Sequence, residues 1–330
     1  MEDEVKRAIM HAMPDGESKW TKIKPYHEIL EVAASMSARI FVGLPLCRDR
    51  GWLEASVQFT ENGQVQKLFI PEIERRRALL SEGKLDEAAS RTALSWMIQY
   101  AEAADEDSCR LAHLALIIVF VSIHTTMTHA VHALYDLAAR PKYIEDLREE
   151  IREVAAAGHG CWDKASYTQL RKMDSFMKES QRHNPSDELS MSRFMERSYD
   201  MSDGTHLPRG TMIAMPTRAI QNDPAITENP DVFDGLRYYQ LRQEPNMANR
   251  YQFVSTGETQ LHFGYGRAAC PGRFLADLEV KMILVHLIMN YDFKLVGEHR
   301  PGNLRLYEFI VPNPEGELLV RQRAKPESPL

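Results

Sequence analysis

Apolar positions recur at helical spacing along most of this chain. Ile29, Val32, Ala33, Met36, Ile40 and Phe41 form one stripe that Gly43-Leu44-Pro45 closes, so residues 1 to 50 read as helical, with Trp20, Trp52 and Cys47 as packing residues. Leu94, Trp96, Met97, Ile98 and Tyr100 predict an amphipathic helix over residues 84 to 104, followed by a charged break with capping character from Asp105 to Ser108. Lys142 to Val154 and Met173 to His183 read as further helices; Arg148, Glu149, Glu150 and Arg152 form a solvated face on the first, and Asn184-Pro185 ends the second. Between them lies a polar loop around Gly158-His159-Gly160-Cys161. The period then changes: Leu189 to Ala214 predicts short strands, with Asp203-Gly204 as a hairpin signal, and Glu228 to Glu258 a polar meander. Pro216 to Ala225 reads as a short helix and turn. Phe274, Leu278, Met282, Val285 and Met289 predict a packed stripe on a helix over residues 273 to 290, before final strands at Tyr291 to Val296 and Gly316 to Val320 and a polar tail.

One helix breaks its own pattern. Leu111 to Arg140 would span ~45 Å at the helical rise. From Leu114 to Val121 it is apolar on every face, which predicts burial all round. Then Ser122, His124, Thr125, Thr126, Thr128, His129 and His132 follow, and polar groups in a buried helix need partners. Threonine and histidine can bond back to the preceding turn, which explains most of them without chemistry. No His-Glu-x-x-His pattern supports a zinc site at His129 and His132.

The other unusual stretch is Phe263-Gly264-Tyr265-Gly266-Arg267-Ala268-Ala269-Cys270-Pro271-Gly272-Arg273. Glycines here permit close backbone approach, and a following helix N-terminus favours a thiolate over a thiol. Arg267 and Arg273 add positive charge, and the loop can fold Phe263 back toward the sulfur. Two readings of the residues stay open: a thiolate that binds a metal, or a structural cysteine in a tight turn.

Composition narrows the rest. The 330 residues are 44% hydrophobic and 26% charged, enough for one large core or two domains. A net charge of −7 argues against nucleic-acid binding. The four cysteines lie far apart with no C-x-x-C pair, which argues against a disulfide framework or zinc site and for a reducing compartment. The N-terminus is acidic rather than a signal peptide, and the run from Leu114 to Val121 is too short to cross a bilayer, so no transmembrane segment is expected.

The cysteine stretch resembles the cysteine loop of the cytochrome P-450 superfamily, the haem-thiolate monooxygenases, in the form found among fungal secondary-metabolism members. The resemblance implies a mainly α fold with small β-sheets: a single partial domain over 1–330, mainly helical over 1–183, strands and meander over 184–262, and cysteine loop, long helix and C-terminal strands over 263–330. It implies the C-terminal two thirds of such a protein, lacking the N-terminal anchor, the first strands and part of the substrate-roof helices, because the text from Gln58 to Arg77 is compressed.

The resemblance also implies residue roles. Cys270 would be the axial ligand of haem b, iron protoporphyrin IX, with Phe263, Gly266, Arg267, Gly272 and Arg193 as further haem-binding positions. Ala268 departs from the family, which usually has Arg or His there. Val121 to Thr126 aligns with the oxygen-activating segment, Thr125 matching the threonine and His124 replacing the usual acid. Glu179, Arg182 and Arg237 match a buried structural set. The implied activity is an oxidoreductase acting on paired donors with incorporation of molecular oxygen into a hydrophobic small molecule, a terpenoid, alkaloid or polyketide intermediate. Electrons would come from NADPH through cytochrome P-450 reductase, which would dock near Arg267, Arg273 and Lys281, and the implied location is the cytoplasmic face of the endoplasmic reticulum. The alternatives are a truncated, non-catalytic haem-binding remnant and a haem-thiolate isomerase or dehydratase.

Overall fold

A computed structural model describes residues 1–14, 19–58, 62–102, 107–158 and 162–324. The loop expected at His159 to Cys161, the break at Asp105 and Glu106 and the tail beyond 324 lie outside these. The chain forms two compact units: Met1–Val131 with Glu279–Glu298 and Pro314–Leu330, and His132–Leu278 with His299–Asn313.

The first unit contains helices α1 (Glu2–Ala12), α2 (Pro25–Phe41), α3 (Arg50–Gln58), α4 (Asn62–Ser81, with Pro71 inside it), α5 (Glu87–Ser90) and α6 (Ala93–Gln99), and most of α7 (Ser108–Ala139). A strand, β1 (Thr21–Ile23), interrupts the stretch expected to be helical throughout; it pairs with β9 (Leu318–Gln322), which also pairs with β6 (Tyr291–Leu295). Pro25 at the first position of α2 marks where strand gives way to helix. The single helix expected over 84 to 104 is two short ones, because Asp86 accepts the Ala89 N–H and Thr92 the Ser95 N–H, each capping a new start. Trp96 and Tyr100 stand exposed, and Trp52 stacks on Phe69 with ring centroids 3.9 Å apart.

α7 departs from all-round burial. Ala115, Leu116, Val119 and Ile123 are buried, but Ile117, Ile118 and Val121 are exposed along one face. Periodicity marks a fully apolar run as able to be buried on all sides; only packing decides that one side is left open. The whole helix is long and apolar enough to cross a membrane. Yet its polar residues find protein partners, as a core helix requires: Asp136 accepts from Arg140, Arg300, Ser180 and Asn184, and Arg300 donates to His132 Nδ1 at 3.0 Å. Behind Thr126, the buried carboxyl of Glu279 on α13 (Arg273–Asn290) accepts from Thr126 at 3.3 Å and Ser37 at 3.4 Å. Burial pushes that carboxyl up to about 8, the two hydroxyls opposing only weakly.

The second unit is organised on α10 (Arg171–His183), which packs against α8 (Lys142–Ala157), α11 (Thr217–Gln221) and α12 (Arg237–Leu241). Helix α9 (Lys164–Gln169) precedes it. Glu150, read from sequence as part of a solvated face, is buried and accepts the N–H groups of Lys172 and Met173; Arg148 is buried too. The first turn of α10 has unpaired donors, and Glu150 satisfies two of them. Strands β2 (Ser190–Phe194) and β5 (Met212–Met215) pair, as do β3 (Tyr199–Asp200) and β4 (His206–Leu207), across a turn where Gly204 has φ +87°. A further hairpin, β7 (Asn303–Leu306) and β8 (Phe309–Pro312), was not expected from the sequence.

Glu179 and Arg182 are both 0% exposed. Arg182 grips the carboxylate with two bonds of 3.0 and 2.7 Å, and Arg237 Nε donates to it at 3.3 Å. The guanidiniums spend their remaining donors on the carbonyls of Pro230, Glu228 and Val232, fixing the loop between α11 and α12. Burial pushes the Glu179 carboxyl up, but bonds from Arg182 and His183 and the Arg182 charge outweigh it and hold the group down at about 2.

Glu179→Gln leaves two guanidiniums without their anion and is expected to cost about 3–5 kcal/mol in urea denaturation. Because the folded pKa lies below the unfolded one, the wild-type contribution is present above about pH 4.3 and fades as pH falls toward 2; a flat wild-type stability across that interval contradicts it. Glu279 has the opposite sign. Its folded pKa of about 8 makes stability fall by about 1.4 kcal/mol per pH unit between the unfolded pKa and 8, then level off. Glu279→Gln is expected to flatten that slope between pH 6 and 8.

Candidate active site

The turn before α13 is set by backbone constraints. Gly264 has φ +70°, and a Cβ there would lie 2.6 Å from Ala268 O, so only glycine fits. Gly266, also at positive φ, opens a single 3₁₀ turn to Ala268. The loop then doubles back, and Cys270 N–H donates to Phe263 O at 2.7 Å. The ring of Phe263 is buried and meets Phe253 edge-on at 5.3 Å, so its carbonyl, rather than its ring alone, makes the contact with the cysteine. Arg273 Nη1 donates to Cys270 O at 2.7 Å, tying the cysteine to the first turn of α13.

Cys270 is exposed and carries a free thiol. It lies just before the 18-residue helix α13. Gly272 would bring a Cβ to 3.9 Å of Sγ, and Phe274, expected in the packed stripe of α13, is instead 56% exposed. A soft sulfur donor on a fixed turn beside an exposed aromatic ring is chemically suited to hold the metal of a flat, apolar macrocycle. Haem, the group implied by the sequence resemblance, therefore suits the residues present.

The other sequence-predicted positions are placed as follows. Arg267, Ala268 and Gly266 are exposed on the loop. Arg193, on β2, is exposed and donates to the carbonyl of Ser192 at 2.8 Å. Lys281, counted among surface charges, is buried at 2% exposure and cannot present charge to a partner; it lies on the side of α13 that the core covers. On α7, Thr125 stands on the exposed face and donates back to Val121 O at 2.8 Å, one polar group beside Ile117, Ile118 and Val121. His124 points to a different side: its Nε2 meets Val57 O at 3.0 Å and its ring lies 4.3 Å from that of Phe120. Burial lowers its pKa, so the ring is neutral at pH 7 and Nε2 is the donor. His129 is pushed down to about 4 by burial.

One residue escaped the sequence reading. Glu279 lies on α13 next to Leu278 of the stripe read as packing, was given no role there, and its carboxyl accepts from Thr126 at 3.3 Å. Its signal was available: a carboxylate at position 279 between Leu278 and Val280, in a helix otherwise apolar to Asn290 save Lys281 and His286, is out of pattern.

The family model of the cytochrome P-450 proteins matches residues 21–320. The chain is 37% identical to a cytochrome P-450 monooxygenase of Emericella nidulans, covering 98% of this chain and 67% of that protein. It is 36% identical to a cytochrome P-450 monooxygenase of Tolypocladium album, covering 98% and 68%, and 35% identical to an ent-kaurene oxidase of Gibberella intermedia, covering 98% and 67%. It thus spans about two thirds of these relatives' length. Among solved structures it superposes on retinoic acid bound cyanobacterial CYP120A1 with a TM-score of 0.72, over 97% of this chain and 73% of that one; at 16% identity this is a likeness of fold. With a family match across most of the chain, the chain belongs to the cytochrome P-450 family.

Proposed function

We propose that this chain is a haem-thiolate monooxygenase in which Cys270 would hold the haem through its sulfur and which oxidises a hydrophobic terpenoid, alkaloid or polyketide intermediate. The observation that carries the reading is the Cys270 turn: an exposed thiol, fixed by the 2.7 Å bond from its own N–H to Phe263 O, at the N-terminus of a long helix. Haem b, when bound, supplies reductive activation of dioxygen and transfer of one oxygen atom to the substrate. The chain's part is positioning, proton handling and exclusion of water.

The Cys270 turn holds the cysteine backbone in one place, with Arg273 donating to its carbonyl at 2.7 Å. Phe263, Gly266, Arg267, Gly272 and Arg193 are the proposed haem-contacting positions. Ile117, Ile118 and Val121 offer an apolar surface for a hydrophobic substrate, with the Thr125 hydroxyl as the group that can hold a water or a proton there. That hydroxyl bonds to Val121 O only through its hydrogen, so its oxygen is left to accept. Glu279 is protonated at neutral pH and touches Thr126, so it can supply a proton from the buried side of α7. His124, neutral and bonded to Val57 O, is suited to relaying a proton through its ring only if that bond is exchanged.

Electrons would come from NADPH through cytochrome P-450 reductase, with Arg267 as the exposed positive charge for an acidic partner. The cytoplasmic face of the endoplasmic reticulum is the proposed location. The terpenoid assignment draws on a relative named ent-kaurene oxidase.

The reduced, carbon monoxide-treated protein is expected to give the red-shifted absorption band of a haem thiolate. Cys270→Ala is expected to abolish that band while leaving the apo fold intact by circular dichroism. Persistence of the band in Cys270→Ala places the ligand elsewhere. Failure of the wild type to take up haem supports the remnant reading, and product formation without NADPH or reductase supports an isomerase or dehydratase.

A further inference from the structure

Two buried charges on α10, Asp174 and Lys178, precede the Glu179 set on the same helix and make none of its bonds. Asp174 is 5% and Lys178 3% exposed, and they occupy i and i+4 of the same helix. Lys178 Nζ donates to Gln252 O at 2.9 Å and lies 5.3 Å from the centre of the Tyr238 ring. Asp174 Oδ2 accepts the backbone N–H of Phe253 at 3.0 Å and Arg242 Nη1 at 3.1 Å; Arg242 Nε in turn donates to Ala248 O at 3.0 Å. The anion and the cation therefore seize the two atoms of a single peptide bond, the carbonyl of Gln252 and the N–H of Phe253. Both termini of that peptide are fixed by charge-assisted bonds to one rigid helix.

This peptide is directly upstream of the cysteine turn. The Phe253 ring, 1% exposed, packs edge-on against Phe263 with centroids 5.3 Å apart at 85°. Phe263 O is the acceptor of the Cys270 N–H. A continuous path thus runs from α10 through one clamped peptide and one aromatic pair to the backbone bond that orients the sulfur. All of it lies in the second unit.

We infer that Asp174 and Lys178 are positioning residues for the Cys270 thiolate, acting through the Gln252–Phe253 peptide and the Phe253–Phe263 contact. The inference rests on the proposed role of Cys270 but not on the Glu179 set, which grips the earlier loop from Glu228 to Val232. Two buried charges placed to hold main-chain atoms exact a desolvation penalty, and an apolar pair would pack the same space without it; a defined peptide position is what they add. Burial pushes the Lys178 amine down to about 8, which leaves it an ammonium at neutral pH and a donor to Gln252.

The test uses Lys178→Met, Asp174→Asn and Phe253→Leu in the full chain. Hydrogen exchange on the apo protein reads the Cys270 amide, and the carbon monoxide spectrum of the haem-loaded protein reads the ligand. In each variant the Cys270 amide is expected to exchange about ten-fold faster, the size of one lost charge-assisted bond, while amides in the middle of α10 and α7 keep wild-type protection. The haem-loaded variants are expected to convert part of the thiolate-type band to a shorter-wavelength form. Wild-type exchange at Cys270 in Lys178→Met and Phe253→Leu overturns the inference. So does equal loss of protection across α7 and α10, which would mark a role in general stability. If a variant charge substitution unfolds the chain, Phe253→Leu, which changes no charged side chain and keeps the backbone N–H that Asp174 holds, decides by the same exchange measurement. A wild type that gives no thiolate band defeats the haem reading alone, because exchange in the apo protein still decides whether α10 orients the cysteine turn.

Discussion

A carboxylate and a guanidinium at zero exposure, as Glu179 and Arg182 are on α10, are stable only when their donors and acceptors are used, and here they are. Glu179 takes bonds from Arg182, Arg237 and the Asp234 N–H, and the arginines hand their spare donors to carbonyls of the next loop. The same helix uses Asp174 and Lys178 to hold the peptide at Gln252. Long polar segments without regular hydrogen bonding between their own strands are thereby made rigid from one side. The turn at Cys270 inherits that rigidity, since it closes on Phe263 at the end of the same segment.

The two halves of the chemistry depend on different kinds of burial. At Cys270 the backbone is fixed and the thiol is left open, which is what a ligand to a large cofactor needs. On α7 the backbone is an ordinary helix in an uneven environment: an apolar face left open around Thr125, and a neutral acid enclosed behind Thr126. Desolvation is the physical cause in both His124 and Glu279, but with opposite consequences. It removes the proton from the imidazole and keeps one on the carboxyl, so the buried side of α7 carries its available proton on Glu279.

Much of the fold was legible in the chain. The ranges read for α8, α10 and α13 fall within a few residues of the observed helices, the apolar stripe of α2 ends where that helix ends, and Asp203-Gly204 marked a real hairpin turn. Where the reading failed, a local signal was outweighed by a contact distant in sequence. Thr21 to Ile23 became a strand because β9 lies beside it, some 300 residues later. Glu150 looked like one of four solvated charges until the open end of α10 was brought against it. Lys281 looked like a surface charge because its helix face was unknown.

The sequence by itself determined the identity and order of the chemical groups: a glycine-framed cysteine before a helix, a threonine pair in a long apolar helix, and a Glu–Arg pair followed by a distant arginine. These are legible because spacing and residue type fix local backbone conformation and donor chemistry. Only the tertiary structure decided which groups are charged, which are enclosed and which peptide each one holds, because solvent exposure and hydrogen-bond partners come from segments far apart in the chain. That is why Glu279 draws no notice in a line of text and is a protonated acid in the folded protein.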